Sequence, residues 1–240
     1  MNLVIIPTYN EKENVADIIA AVIGLEGNFH VLIIDDASPD GTADIVKGLT
    51  DTYPDRLHLL ERSGKLGLGT AYLTGFKWAL EHGYDYVFEM DADFSHNPND
   101  LIRLWKTCSE EGADLAVGSR YCSGISVVDW PFSRIVMSYG ASMYVRLILG
   151  MKVFDTTAGF VCYSRKVLEG IDLDAVRMKG YGFQIEMKYT AWKLGYEVKE
   201  VPIVFVNRQK GTSKMSGGIF GEAFWGVIGL RFRKFKPRTA

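Results

Sequence analysis

The central segment of this sequence is Tyr86-Val87-Phe88-Glu89-Met90-Asp91-Ala92-Asp93-Phe94-Ser95-His96. An apolar run rich in β-forming residues enters the segment, and two carboxylates one residue apart follow where a strand should end. Ligands of open α/β sheets bind at this end of the strands. In extended geometry Asp91 and Asp93 would point to one face, where their hard oxygens suit Mg²⁺ or Mn²⁺ that already carries phosphates. The segment predicts a metal-diphosphate site, and a polar turn after a strand is the alternative interpretation.

On both sides of this segment the chain alternates strand and helix patterns. Strands are predicted at residues 3–6, 30–34, 57–60 and 114–118. Helices are predicted over residues 11–23, 42–49, 70–81 and 100–111, with Asn10 as the N-cap of the first and Glu13 at its third position. Repeated βα units with short connections predict an α/β fold, a doubly wound and mostly parallel sheet in one domain.

The composition is that of an ordinary globular protein, with 240 residues and 48% apolar content. Its three cysteines, Cys108, Cys122 and Cys162, fit no metal spacing and cannot all pair, which favours a reducing compartment. The apolar run at residues 3–6 is too short for a signal peptide and has no basic start. No apolar stretch reaches the length of a membrane span.

The charge is distributed unevenly, although the formal net charge is only -2. From Arg208 onward there are eight Lys or Arg and one acid, Glu222, so this end carries +7 and the rest about -9. Residues 219–236 mix aromatic with basic side chains, which fits an anionic membrane surface or docking back on the domain. Residues 135–149 are apolar on more than one face, as in a core helix or an interfacial helix near a lipid. A partner with negative charge is therefore expected.

A glycine-rich loop, Gly64-Lys65-Leu66-Gly67-Leu68-Gly69-Thr70, precedes one predicted helix. It is not a P-loop, since Thr70 follows the last glycine, and it is not a dinucleotide fingerprint, since Tyr72 takes the third glycine position. Two interpretations remain open: a flexible turn into a helix, or a backbone that approaches a ligand closely, with Lys65 near its phosphates.

Three strand ends should meet at one edge of the sheet, because parallel strands share their C-terminal side. Asp36 and Asp91 each close a strand, and residues 7–11 close a third. A nucleotide is the natural occupant of such an edge.

At this point the residues resemble the family 2 inverting glycosyltransferases of the GT-A fold, and in particular the subgroup that makes dolichol or polyprenol phosphate mannose. The resemblance runs from about Asn2 to Ser216. The motifs that carry it are Pro7-Thr8-Tyr9-Asn10-Glu11, Asp35-Asp36-Ala37-Ser38-Pro39-Asp40-Gly41-Thr42, Asp91-Ala92-Asp93-Phe94-Ser95-His96-Asn97-Pro98, Gly118-Ser119-Arg120-Tyr121, Asp155-Thr156-Thr157-Ala158-Gly159-Phe160 and Gly211-Thr212-Ser213-Lys214. Any one of them is weak, whereas six in the right order make the assignment strong.

The resemblance also implies roles for individual residues. The residues of the nucleoside pocket would be Pro7, Tyr9, Glu11 and Ile34, with Asp36 accepting hydrogen bonds from the base. The diphosphate would be held by Asp91, Ala92 and Asp93, with Mg²⁺ or Mn²⁺ on Asp93 and also on Asp91. The cations that meet the donor and lipid phosphates would be Arg120, Arg208 and Lys214. Gln184 and Glu186, on a predicted helix over 182–194, could be solvated.

The implied chemistry explains why no general base is evident. A phosphate monoester, with a second pKa of about 6, is already a nucleophile at neutral pH. What it needs is cations, and Arg suits bidentate phosphate contact. The prediction is an inverting transfer of a hexose, mannose from GDP-mannose, to dolichyl or polyprenyl phosphate.

Three alternatives to this prediction remain. A UDP-glucose or UDP-N-acetylglucosamine enzyme could act on the same lipid. A hydroxyl-directed relative would need a base and, in processive cases, a Gln-x-x-Arg-Trp motif, which this sequence lacks. A non-catalytic nucleotide-binding module would be expected to have lost a metal carboxylate or a phosphate-binding cation.

The predicted organisation is a catalytic domain over residues 1–218 and a basic, aromatic tail over 219–240. Attachment would be peripheral, on the cytoplasmic face of a membrane, either directly or through a separate anchoring subunit. No nucleic acid is expected among the partners.

Overall fold

In the computed structural model of the chain, residues 1–208 and 219–236 are described. The strands in chain order are β1 (Asn2–Thr8), β2 (Phe29–Asp35), β3 (Leu57–Glu61), β4 (Tyr86–Glu89), β5 (Leu115–Ser119), β6 (Val127–Val128), β7 (Val161–Ser164), β8 (Val198–Pro202) and β9 (Phe205–Val206). The α-helices are α1 (Val15–Ile23), α2 (Thr42–Thr50), α3 (Leu68–Glu81), α4 (Asp100–Ser109), α5 (Phe132–Leu149), α6 (Arg165–Gly170), α7 (Tyr181–Lys193) and α8 (Ile219–Phe232).

The main sheet has seven strands in the order β3-β2-β1-β4-β7-β5-β8. Its pairs are parallel except those made by β7, which runs antiparallel to both β4 and β5. The mostly parallel, doubly wound sheet expected from the sequence is confirmed. Strands β7 and β8 were not among the predicted strands, although the apolar run 160–163 is a signal for the first.

Alternate residues of the central strands pack on opposite faces of the sheet. Val4 and Ile6 of β1 lie in a cluster with residues of α1, α2 and α4. Leu3 and Ile5 lie in a second cluster with residues of α3, α6 and α7. All four side chains are fully buried, and each such burial contributes about 1.5–3 kcal/mol relative to exposure. Burial on both faces explains why β1 reads as a continuous apolar run.

The first helix begins later than the sequence indicated. Its N-cap is Asn14, and the helix itself starts at Val15, so the capping role expected of Asn10 is wrong. Asn10 instead has a φ of 56° and donates its N–H to Ser38 Oγ at 3.0 Å. Residues 11–14 form a turn between β1 and α1, where Glu11 Oε2 accepts a hydrogen bond from Asn14 Nδ2 at 3.0 Å.

A third cluster joins α5, α7 and α8. It contains Val145 and Leu149 of α5, Tyr189 of α7, and Val227 and Leu230 of α8. The tail helix thus docks on the domain through two of its side chains. In the described part of the chain, no helix combines the length and apolar character that crossing a membrane requires.

Candidate active site

The carboxyl ends of β1, β2 and β4 lie together at one edge of the sheet, as their parallel pairing requires. Asp35, the last residue of β2, organises the turn there. Its carboxylate accepts hydrogen bonds from Thr8 Oγ1 at 2.9 Å, Ser38 N–H at 2.8 Å and Ser38 Oγ at 2.6 Å. The Asp35 carboxylate is already hydrogen-bonded within the protein. Of these two adjacent acids, Asp36 is therefore the one that can bind a ligand.

Asp36 is held by an arginine that sequence reasoning missed. Nε of Arg62 donates to Asp36 Oδ1 at 2.6 Å, and Nη1 of the same side chain donates to Thr70 Oγ1 at 2.8 Å. Burial raises the pKa of the Asp36 carboxyl above its ordinary value, and the Arg62 guanidinium opposes that rise. Arg62 directly follows β3 and precedes the glycine-rich loop. Its position at the end of a strand is the sequence signal that could have identified it.

Two glycines of the loop, Gly67 and Gly69, are explained by the backbone and packing of the protein itself. A Cβ on Gly69 would lie 2.8 Å from the Phe183 ring, and the N–H of Gly69 donates to Lys179 O at 2.8 Å. Gly67 has a φ of 102°, which a side chain would strain. Lys65 extends toward the sheet edge, with Nζ 5.1 Å from the centroid of the Tyr9 ring.

The two central carboxylates lie on a turn rather than on a strand. Strand β4 ends at Glu89, and Phe94 within the turn has a φ of 59°. The extended geometry assumed for Asp91 and Asp93 is therefore wrong, although both side chains do reach the sheet edge. Asp93 is buried, and its Oδ1 accepts the N–H of Ser95 at 3.0 Å, whereas 42% of the Asp91 side chain is exposed.

The electrostatics of the turn fit a divalent cation. Removal from bulk water and the neighbouring Asp93 carboxylate raise the pKa of Asp91. Burial also opposes ionisation of Asp93, but its hydrogen bonds from Ser95 and the charge of Arg208 outweigh burial and lower the pKa of Asp93. Among the described residues no group of three His, Cys, Asp or Glu side chains could hold a metal. A metal held by these two carboxylates would take its other ligands from phosphate and water, as Mg²⁺ usually does in proteins.

Arg120 lies behind the turn and is largely buried. Its Nε and Nη2 each donate to the Asp155 carboxylate at 2.7 Å, and Nη2 also donates to Thr157 Oγ1 at 2.9 Å. Only 9% of Arg120 is exposed, and Asp155 is fully buried. Although burial acts in the opposite direction, the charge of Arg120 lowers the pKa of Asp155. Two side chains of the motif that begins at Asp155, those of Asp155 and Thr157, therefore hold Arg120.

Arg208 comes from the distant end of the chain to the metal turn. Its Nη2 lies 2.9 Å from Asp93 Oδ2 and 3.4 Å from Glu11 Oε1. The preceding residue, Asn207, accepts a hydrogen bond at 3.0 Å from Arg134, whose guanidinium lies 3.8 Å from the Trp130 ring centroid. Arg134 is a further cation on this side that sequence reasoning missed.

The remaining predicted residues are partly accounted for. Pro7 and Tyr9 are half-buried at the edge, and Ala92 is buried within the turn. Ile34 is fully buried in the sheet core, beneath the edge. Lys214 lies outside the described residues.

Comparison with known protein families identifies the family of this chain. The model of the glycosyl transferase family 2 matches residues 3–172, well over half of the chain. The protein belongs to glycosyl transferase family 2.

Two relatives share much of their sequence with this member of the family. Polyprenol monophosphomannose synthase of Mycolicibacterium smegmatis is 49% identical over 232 residues, which cover 95% of this chain and 87% of the relative. Undecaprenyl-phosphate mannosyltransferase of Micrococcus luteus is 46% identical over 240 residues, which cover 96% of this chain and 98% of the relative. The family resemblance drawn from the six motifs is confirmed.

Solved structures agree on the fold. Glucosyl-3-phosphoglycerate synthase from Mycobacterium tuberculosis, in complex with Mn²⁺, UDP-glucose and phosphoglyceric acid, superposes with a TM-score of 0.72 at 17% identity. The match covers 96% of this chain and 79% of that chain. The same enzyme in complex with Mg²⁺ and UDP gives a TM-score of 0.70 at 18% identity, with the same coverage. At this identity the likeness establishes the GT-A fold and nothing finer.

Proposed function

We propose that this family 2 glycosyltransferase transfers mannose from GDP-mannose to a polyprenyl or dolichyl phosphate and inverts the configuration at the anomeric carbon. The observation that supports the proposal most directly is the proximity of Asp91, Asp93 and Arg208 at the edge of the sheet where β1, β2 and β4 end. A carboxylate pair and a cation there match a reaction between two phosphorylated substrates. The names of the two relatives support mannose and a polyprenyl phosphate as the substrates.

The nucleoside of the donor would bind where β1 and β2 end. Asp36, anchored through Oδ1 by Arg62, can accept hydrogen bonds from the N1–H and N2–H groups of guanine. Tyr9 and Lys65 lie on the adjoining side and would enclose the ribose and phosphates. Arg62 connects the end of β3 with the first turn of α3, so the pocket is organised before the donor arrives.

The diphosphate would bind at the metal turn. Asp93 and Asp91 would hold Mg²⁺ or Mn²⁺, which when bound supplies Lewis-acid stabilisation of the departing diphosphate. Arg208, already hydrogen-bonded to Asp93, brings a guanidinium whose planar set of donors suits phosphate oxygens. Arg120 and Lys214 complete the proposed set of cations.

The acceptor phosphate would need no general base. One of its oxygens attacks the anomeric carbon, and the bond from that carbon to the donor diphosphate breaks with its electron pair going to the diphosphate. The protein's part is to hold two anions close together and to offset their charge, which is electrostatic and positional catalysis.

The lipid would approach along an apolar surface formed by α5 and α8. We call it the α5–α8 face, and its exposed apolar side chains are Phe132, Val136, Met137, Met143, Leu147, Phe224, Trp225 and Phe232. The two helices are joined by the stacked rings of Tyr144 and Phe224, 4.9 Å apart. Exposed Arg231, Lys234 and Lys236 follow on the same segment. Aromatic and basic residues together favour peripheral binding to an anionic bilayer, which we place at the cytoplasmic face. A separate anchoring subunit is the alternative.

The test is a panel of radiolabelled nucleotide sugars incubated with membranes and Mn²⁺, with label counted in the organic phase. We expect label from GDP-mannose and little from UDP-glucose or UDP-N-acetylglucosamine. The Asp93→Ala variant is the matched blank. Transfer from a UDP-sugar alone would overturn the proposed donor, and label that stays in the aqueous phase would overturn the lipid acceptor.

A further inference from the structure

Helix α7 carries a lysine that has no contact with solvent. Lys188 is fully buried, and its Nζ donates to Ala158 O at 2.6 Å and to Gln184 O at 3.1 Å. Longer contacts reach Gln184 Oε1 at 3.3 Å and Thr156 O at 3.4 Å. Burial lowers the pKa of Lys188 to about 8, and the charge of Glu89 opposes that fall. An ammonium surrounded by uncharged acceptors is costly to bury, so its position needs a reason.

The acidic side chain that acts most strongly on Lys188 is Glu89, the last residue of β4. Glu89 is also fully buried, and neither of its carboxylate oxygens has a hydrogen-bond partner among the described residues. Gln184 Nε2 and the Tyr163 hydroxyl, two groups near Glu89, likewise lack partners within the described residues. Burial raises the pKa of Glu89 to about 8, and the charge of Lys188 opposes that rise. Glu89 lies two residues before Asp91.

The carbonyls that Lys188 binds belong to the segment that holds Arg120. Thr156 and Ala158 direct their C=O groups to the ammonium, while the side chains of Asp155 and Thr157 bind the guanidinium of Arg120. Lys188 therefore fastens this segment on the side opposite Arg120. The expectation that the polar side chains of α7 could be solvated is wrong, because Gln184 and Glu186 are buried as well.

We propose that Lys188 is a positioning residue for sugar transfer: by fastening residues 156–158 it keeps Asp155 and Thr157 in place to hold Arg120 beside the reacting phosphates. Glu89, which acts electrostatically on Lys188, joins the same core to the metal turn. The inference rests on the proposed function, since it assigns Arg120 to the phosphates. Lys188 itself touches no substrate.

The rival explanation is that Lys188 and Glu89 only stabilise the core. Two variants separate these explanations. Lys188→Met removes the ammonium with little change of volume, and the double variant Lys188→Met, Glu89→Gln removes both charges. Replacing both members of a buried ion pair is often neutral for stability, whereas removing one leaves an unpaired charge. The carbonyls of Thr156 and Ala158 lose their donor in both variants.

The experiment measures kcat, the donor KM and the melting temperature of the wild type and of both variants with GDP-mannose and polyprenyl phosphate. We expect kcat to fall about 30-fold or more in both variants, as for loss of a preorganised charge contact, while the donor KM changes less than about threefold. The melting temperature should fall in the single variant and recover in the double variant. Recovery of kcat together with the melting temperature would overturn the proposal, as would an unchanged kcat in Lys188→Met.

If the double variant remains unstable, amide hydrogen exchange distinguishes the two explanations. This measurement does not depend on enzyme activity. The N–H of Arg120 donates to Asp155 Oδ2 at 2.9 Å, so its protection reports on this segment. Loss of protection confined to residues 119–122 and 154–160 supports the proposal, and loss spread over the sheet overturns it. A wild type that fails to transfer mannose would contradict the proposed function, but it would leave the exchange result to be judged separately.

Discussion

Arg208 Nε donates to Asp93 Oδ2 across 2.9 Å, although the two residues are 115 positions apart in the chain. The contact brings a cation from beyond β9 to the turn that follows β4. It also places that cation 3.4 Å from Glu11, so the ends of two strands and the distant segment share one charge network. A metal ion and a diphosphate at this turn would interact directly with the same network.

Replacing Asp93 tests the metal turn. Asp93→Ala removes one proposed metal ligand and the partner of Arg208, so we expect turnover to fall by about three powers of ten with the fold intact. Turnover is measured against Mn²⁺ concentration, beside circular dichroism. Asp51→Asn, an exposed acid at the end of α2, is the control and should behave as the wild type. Near-normal activity in EDTA would contradict the metal assignment.

Substitutions of Asp36 and Arg62 test whether these residues form the pocket for the nucleobase. Asp36→Ala should raise the donor KM more than it lowers kcat, because a base contact is the same in the ground and transition states. Arg62→Met should act in the same direction through loss of the anchor of Asp36. Arg56→Met is a matched control, since Arg56 binds the carbonyls of Ile23 and Phe29 at the opposite end of the sheet. A defect in kcat alone would place Asp36 near the reacting carbon instead.

Substitutions of Arg208 and Lys214 test how the acceptor phosphate is bound. Each substitution by alanine should lower kcat/KM for the lipid about ten- to a hundredfold, because a charge-assisted contact contributes roughly 1.5–3 kcal/mol. Two-substrate kinetics are measured beside calorimetric titration with GDP-mannose. Donor binding should change far less in the Lys214 variant than in the Arg208 variant, because Arg208 is also placed at the donor diphosphate. Lys199→Ala, a basic residue of β8 that binds Glu111 O, is the control. If both variants kept normal lipid kinetics, a neutral hydroxyl acceptor would have to be reconsidered.

The buried pair of Arg120 and Asp155 predicts a pH-dependent stability. A carboxyl whose pKa is lowered by folding stabilises the protein above its unfolded pKa, about 4, and this stability is lost as the pH falls through the folded pKa. Asp155→Asn leaves Arg120 without its counter-ion, so we expect a loss of about 3–5 kcal/mol at neutral pH and a weaker dependence below pH 4. Denaturant titrations at several pH values provide the measurement.

The control for this pair is Glu61→Gln, which breaks an ion pair with Lys47 in which both side chains are about half exposed. That substitution should cost about 1 kcal/mol or less. Equal losses in the two variants would show that burial of the Arg120 pair adds nothing to its strength.

The α5–α8 face predicts membrane binding. Trp225 is 71% exposed and Phe232 is 82% exposed, so replacing both by alanine should lower affinity for anionic vesicles about tenfold or more without changing stability. Sedimentation with vesicles of neutral and anionic lipid measures the effect. Replacing Arg231 and Lys236 by Gln should weaken binding to anionic vesicles alone.

The control for membrane binding uses the exposed Arg103 and Lys106 of α4, which packs on the other face of the sheet. Changing both to Gln removes equal charge and should leave vesicle binding intact. Equal losses from α4 and from α8 would mean that net charge, rather than this face, governs the interaction.

The sequence by itself determined which strand ends meet. Residues 7–11, Asp36 and Asp91 each follow an apolar run, and parallel strands place their carboxyl ends at one edge whatever the details of packing. The family motifs then identified the chemistry of that edge. Local patterns were sufficient here because strand direction and the alternation of strands and helices are local properties.

Only the tertiary structure decided which charges pair. Arg62 with Asp36, Arg120 with Asp155 and Arg208 with Asp93 join residues from 26 to 115 positions apart. No periodicity encodes such pairs, because they depend on how turns and loops are packed around the sheet. The same holds for Lys188, which lies on a helix with several polar side chains but is fully buried and donates to the carbonyls of Ala158 and Gln184.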